Sequence, residues 1–153
     1  MIPAIGVFDA GPLISFSQVD RLELLHQLFA RKFVPPAVAY EVEPSLGELP
    51  KWIKIQRHST MLSFPQGLGA GERAAIALAI DVSADYIVMD DRRARSSAKA
   101  HGLTPVGSFG LLINAKRNGL IQEVRPLMDA MLSHGLYASE GLYRRILAIA
   151  NED

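Results

Sequence analysis

Two short apolar runs of this chain each end in aspartate: Ile5-Gly6-Val7-Phe8-Asp9 and Tyr86-Ile87-Val88-Met89-Asp90-Asp91. Runs of this length, rich in β-branched and aromatic residues and followed by helical sequence, read as strands of a parallel sheet buried on both faces. Open α/β sheets place their chemistry at the carboxyl ends of strands, so both aspartates are expected on one edge. Between them, Leu68-Gly69-Ala70-Gly71-Glu72 opens a helix with a carboxylate in its first turn, and Glu41 lies in a helix started by Pro35-Pro36. Several acids converging without matching cations point to a magnesium or manganese site.

The pattern along the chain supports that frame. Gly11 and Pro12 read as a turn, and Asp20 as the N-cap of a helix carrying Leu22, Leu25 and Phe29 on one face. Lys32-Phe33-Val34 predicts a short strand. The Pro35-Pro36 helix buries Val38 and Val42 and is expected to stop at Pro44, with a loop over 44–51 and an edge-like strand over Trp52–Gln56. Residues 59–68 read as a loop. Glu72, Ala75, Ile76, Ala79 and Ile80 share one face of a helix over 71–80. A basic helix over 91–101, a strand at Thr104-Pro105-Val106 and three C-terminal helices complete the chain. The expected architecture is a single α/β domain over residues 1–153: three layers, α/β/α, with a mostly parallel central sheet and a helical C-terminal end.

Composition narrows the class. At 153 residues with 49 % hydrophobic content, the chain is long enough for a real core and too apolar for disorder. It has no cysteine for disulfides or thiolate-bound zinc. No stretch approaches the roughly 20 apolar residues of a membrane span, and Met1-Ile2-Pro3-Ala4 lacks the features of a secretory leader, so a soluble, cytoplasmic protein is expected. Lys plus Arg and Asp plus Glu both number 16. Any nucleic-acid contact must therefore rely on local positive charge, and near-zero net charge favours self-association.

Each acid also has a plain structural explanation. Asp91 suits a helix N-cap, and Glu72 in a first turn complements the helix dipole. Asp9 precedes Ala-Gly-Pro and is harder to explain as a cap. Together the acids suit a hard cation, which takes oxygen ligands and needs only a few carboxylates beside substrate phosphate. Such an ion activates water and stabilises charge on a leaving oxygen, so the chemistry implied is hydrolysis of a phosphodiester.

At these residues the chain resembles the PIN-domain family, the fold of many metal-dependent ribonucleases, including the VapC-type toxins of toxin–antitoxin pairs. The resemblance spans nearly the whole chain. It is carried by Asp9-Ala10-Gly11-Pro12-Leu13-Ile14, Val34-Pro35-Pro36-Ala37-Val38 leading to Glu41, Gly69-Ala70-Gly71-Glu72 with Ala75-Ile76, Asp90-Asp91-Arg92 with Arg95, and Gly107 to Lys116. It is closest to a branch of small prokaryotic PIN-like proteins of unknown function. The resemblance implies an acidic, metal-binding and catalytic cluster on Asp9, Glu41, Glu72 and one of Asp90 or Asp91, with Mg2+ or Mn2+ as cofactor. It further implies an RNA substrate, a homodimer and a small antitoxin partner. One position departs: the family usually has serine or threonine two residues after the first aspartate, and here Gly11 stands there.

Arg92, Arg95 and Lys99 are spaced to share one helix face beside the acids, where they would hold phosphates. Lys116-Arg117 and Arg144-Arg145 are further basic patches; Lys116 is a fourth candidate for nucleic-acid contact, although for each patch taken alone a solvated helix face is the stronger reading. Aromatics make up only 7 % of the chain, so base stacking is not an evident device. The leading expectation is a metal-dependent endoribonuclease, the toxin of a toxin–antitoxin pair. Two alternatives stand beside it: a non-catalytic interaction protein of the same fold, motivated by Gly11, and an aspartyl-phosphate phosphotransfer domain, which the late acidic pair disfavours.

Overall fold

The computed structural model describes residues 4–153. Among these, β1 (Ile5–Phe8), β2 (Arg31–Val34), β3 (Lys54–Ile55), β4 (Tyr86–Val88) and β5 (Pro105–Val106) form one sheet in the order β3-β2-β1-β4-β5. Every neighbouring pair is parallel. Alternate strand residues serve opposite layers. Val7, Phe33 and Ile87 pack with Ala75, Ile76 and Ala79 of α4 (Ala70–Asp81) and Ala94 and Ala98 of α5 (Arg92–Ala100). Phe8, Val34 and Val88 pack on the other face. Their partners come from α1 (Ala10–Gln18), α2 (Glu23–Leu28), α3 (Pro36–Leu46), α6 (Ser108–Arg117), α7 (Arg125–Ser133) and α8 (Glu140–Ile149). The result is the expected three-layer α/β/α arrangement, with the helical C-terminal end folded onto one face.

Gly6 is needed inside β1. A Cβ there would lie 2.8 Å from Cδ1 of Phe29, whose ring meets Phe8 edge-on at 5.3 Å and Tyr86 at 6.2 Å between centroids.

Three local expectations are corrected. The segment after Asp9 is helix α1, and Pro12 fits its first turn because the N–H groups there lack intrahelical partners anyway. Asp20 closes α1 instead of opening α2. Its φ is 56°, its N–H reaches the Ser17 carbonyl at 3.0 Å, and Arg21 N–H reaches the Phe16 carbonyl at 2.9 Å, the Schellman pattern. Helix α3 also runs through Pro44 to Leu46 and ends at Gly47, with φ of 70° and an N–H bond to the Glu43 carbonyl. Proline removes only one bond there, four residues back at solvent-exposed Tyr40.

The predicted strand over 52–56 shrinks to Lys54–Ile55 at the sheet edge. Trp52 is occupied elsewhere: it stacks on His26 at 4.7 Å, with the buried Lys32 ammonium 5.5 Å from its ring centre. That ammonium donates to the carbonyls of Phe29 and His26, satisfying the end of α2, and burial lowers its pKa.

Candidate active site

The sheet order sets where chemistry can occur. From β1 the chain steps outward to β2 and β3, then returns to place β4 on the other side of β1. The carboxyl ends of β1 and β4 therefore flank the topological switch point of the sheet. Asp9 is the first residue beyond β1, and its N–H donates to the Val88 carbonyl at 2.9 Å. It occupies the N-cap position of α1, yet its side chain makes no capping bond. The carboxylate is buried, only 7 % exposed.

Glu41 and Glu72 reach the same place from α3 and α4, where Gly71 allows close approach. A Cβ on Gly71 would lie 2.9 Å from Oε1 of Glu41 and 3.8 Å from Oδ1 of Asp9. The space that the glycine leaves open is the space these two carboxylates share. Glu72 is half-buried, and its Oε1 accepts the Gly69 N–H at 2.8 Å, bracing the start of α4. The loop ahead of α4 is held in turn by Arg93, which donates to the Gln66 carbonyl at 2.8 Å.

Asp90 and Asp91 have different surroundings. Asp91 is exposed and caps α5, its Oδ2 accepting the Ala94 N–H at 2.9 Å. Asp90 faces the acids. Its two oxygens accept the backbone N–H and the hydroxyl of fully buried Ser108, both at 2.7 Å. Ser108 lies just beyond β5, beside β4, so neighbouring strand ends bring the two residues together. Gly107 keeps a second gap open: a Cβ there would sit 3.0 Å from Oδ1 of Asp90 and 2.9 Å from Nη1 of Arg95.

Burial pushes the Asp9 pKa up to about 7, with the Ala10 N–H pulling down and the charges of Glu72, Glu41 and Asp90 adding to the rise. Four acids from distant segments thus repel across one space. The ion pairs among the described residues are Arg21–Glu23, Lys116–Glu152 and Arg144–Glu140, none of which neutralises them. As the side chains lie, no three acids or histidines of the described residues form a ready group for a metal ion. Glu72 is instead bonded to the Gly69 N–H and Asp90 to Ser108. The donor set is all hard oxygen, gathered around one buried carboxylate with no ion pair among the described residues, which fits a hard divalent cation.

Beside Asp90 opens a cleft of about 680 Å³ lined by Arg92, Arg95 and Lys99 of α5 and by Tyr137 and Ser139 across from them. Arg92, Arg95 and Lys99 thus line one cleft together with Asp90. Lys116 is not part of it. Eight residues along α6 from Ser108, about 12 Å by helical rise, its ammonium bonds the Ala150 carbonyl and the Glu152 carboxylate. That carboxylate also accepts the N–H groups of Val124 and Arg125, and together these bonds hold its pKa down against the effect of burial.

A family model described as a PIN domain matches residues 5–152. The chain belongs to the PIN-domain family. PIN domains have a nuclease-type fold, and Asp9 and Asp90 of this one stand beyond the carboxyl ends of β1 and β4. No curated protein and no solved structure matches the chain. In this PIN domain Gly11 is exposed in the first turn of α1, and nothing lies within 4 Å of where its Cβ would be. The position leaves room for a hydroxyl-bearing side chain and supplies none.

Two residues beside the site escape a reading of the sequence. Ser108 looks like an ordinary helix start, and only the pairing of β4 with β5 reveals it as the support of Asp90. Tyr137 lies in a short connector with no motif around it, and its place in the cleft depends on how α7 and α8 fold back.

Proposed function

We propose that this PIN domain is a metal-dependent endoribonuclease that hydrolyses RNA phosphodiester bonds, with Mg2+ or Mn2+ held by Asp9, Glu41, Glu72 and Asp90. The observation that carries the reading is the meeting of these four acids, none of them in an ion pair among the described residues, beside a basic cleft. A divalent ion supplies activation of water for in-line attack and stabilisation of charge on the leaving oxygen. Buried Asp9 is the fixed centre, pinned through its backbone to β4. Ser108 orients Asp90, and Gly71 gives Glu41 its room. Arg92, Arg95 and Lys99 draw the phosphate backbone alongside the acids, and Asp91 fixes the start of the helix that carries them.

The test is cleavage of an RNA holding both paired and unpaired segments, with and without chelator, by the native chain and by Asp9→Asn. Cleavage is expected only for the native chain with Mg2+ or Mn2+. Cleavage that persists in chelator and in Asp9→Asn rejects the mechanism. The resemblance to VapC-type toxins supports a toxin role in the cytoplasm, as a homodimer bound by an antitoxin. That role predicts growth arrest on expression, relieved by the product of an adjacent reading frame.

A further inference from the structure

We infer that Tyr137, with the apolar cleft behind it, forms a subsite for an unpaired nucleobase beside the acid pole. The inference rests on the nuclease reading above and adds to it a residue that selects how the strand is presented. Two clefts meet at Tyr137. One is the basic cleft, with Arg92, Arg95 and Lys99. The other, of about 630 Å³, is walled by Val106, Phe109, Ile113, Leu136 and Ile146. Asp90, Arg92, Arg95, Tyr137 and Leu142 line both. Tyr137 is thus the aromatic residue at the junction between a phosphate-binding face and an apolar slot, next to an acid of the site.

Its exposure is 83 %, so the ring face is available. Its backbone is not free to wander. Gly135, with φ of 108°, ends α7, and the Leu136 N–H bonds the Met131 carbonyl at 3.1 Å. On the other side Ser139 caps α8 by accepting the Leu142 N–H on its hydroxyl at 3.1 Å. Leu136 packs onto the core between these anchors. A short connector anchored at both ends presents one outward aromatic ring at a set place, which lowers the backbone ordering that binding has to impose. The chemistry that matches both clefts is a nucleotide with phosphate on α5 and base on the ring of Tyr137. A paired base offers no free face, so the subsite takes unpaired nucleotides.

The experiment uses the full chain in chelator at low salt, with a single-stranded oligoribonucleotide carrying 2-aminopurine and its fully paired duplex. Binding of the single strand is expected to quench the fluorophore. Tyr137→Ala is expected to weaken single-strand binding about 5- to 150-fold and abolish the quench, while Tyr137→Phe retains both, as a stacking ring requires. Duplex binding is expected to be indifferent to either variant. Equal single-strand affinity for the native chain and Tyr137→Ala overturns the inference, as does loss in Tyr137→Phe equal to that in Tyr137→Ala. Unchanged melting temperatures identify any loss as local. Cleavage is read separately with metal. An RNA that binds with quenching but is never cut defeats the nuclease reading and leaves the subsite standing, whereas metal-dependent cleavage indifferent to Tyr137→Ala defeats the subsite alone.

Discussion

Asp90 is held at both carboxylate oxygens by a single residue, Ser108, whose backbone N–H and hydroxyl each donate at 2.7 Å. Ser108→Ala removes one of the two bonds, the one from a fully buried hydroxyl to the half-buried carboxylate. Hydrogen bonds to charged groups contribute about 1.5–3 kcal/mol, so a melting temperature lower by roughly 3–10 °C is expected in a domain of this size. Cleavage should fall with it, because Asp90 keeps only its backbone tether. Thermal unfolding alongside cleavage assays checks both.

Gly71→Ala separates stability from the site. The added methyl meets Glu41 Oε1 at 2.9 Å, the far end of an exposed and flexible side chain, while Val38 Cγ2 at 3.4 Å has to give only slightly. Alanine is the better helix former by up to about 1 kcal/mol. The melting temperature should therefore hold or rise slightly, while displacement of Glu41 lowers cation affinity roughly tenfold, as loss of a supporting group does at other metal sites. Differential scanning fluorimetry against Mn2+ concentration reads both quantities.

The raised pKa of Asp9 has a stability signature. The folded chain holds this proton up to about pH 7, whereas the ordinary value is 3.8. Between those values the folded state binds more protons than the unfolded one, so stability falls as pH rises. From pH 5 to pH 7 the loss in chelator should be about 2–3 kcal/mol. Asp81 and Glu152, whose pKa values are lowered, act below their ordinary 3.8 and 4.5 and so fall outside this window. Urea unfolding of the native chain and of Asp9→Asn gives the contribution as a difference, which cancels the histidines common to both.

Adding the cation should reverse that loss. An ion that binds only the folded chain stabilises it by about 2.7 kcal/mol at a hundredfold excess over its dissociation constant, or roughly 5–11 °C in melting temperature. The rise should be largest above pH 7, where Asp9 is ionised, and Asp9→Asn should remove most of it. Absence of any rise with Mg2+ or Mn2+ at pH 8 would favour the non-catalytic reading suggested by Gly11.

Arg92 and Lys99 should behave differently from Lys116. Replacing either of the first two with alanine is expected to weaken RNA binding irrespective of sequence and to reduce the salt slope by about 0.7 per lost phosphate contact on a single strand. Lys116→Ala should leave the slope alone and lower the melting temperature, because its ammonium serves the Ala150 carbonyl and Glu152. Binding isotherms at several salt concentrations distinguish the two classes.

The parts of this fold that could be read from residue order are those governed by local rules. Buried strands announce themselves as β-branched runs, and the period of Ala75, Ile76 and Ala79 fixes the inner face of α4. The place of Asp9 is legible because the parallel topology leaves few places for strand ends to go, whereas Glu41 and Glu72 come to it from helices α3 and α4. What could not be read depends on partners distant in the chain. Asp20 resembles a helix start, but the carbonyls of Phe16 and Ser17 recruit it as a stop. Asp91 reads as a helix N-cap from its place ahead of α5, but that Asp90 is braced at the strand end depends on the neighbouring β5 and Ser108. Lys116 looks like a free surface cation until the C-terminal turn brings Glu152 to it.

β4 docks against β1, and the bond from the Asp9 N–H to Val88 registers one acid-bearing strand end against the other. Before that docking, the carboxylates belong to separate stretches of a growing or unfolding polypeptide and share no common ground. A nascent or partly melted copy therefore has no acid pole, and the proposed reaction requires the assembled sheet.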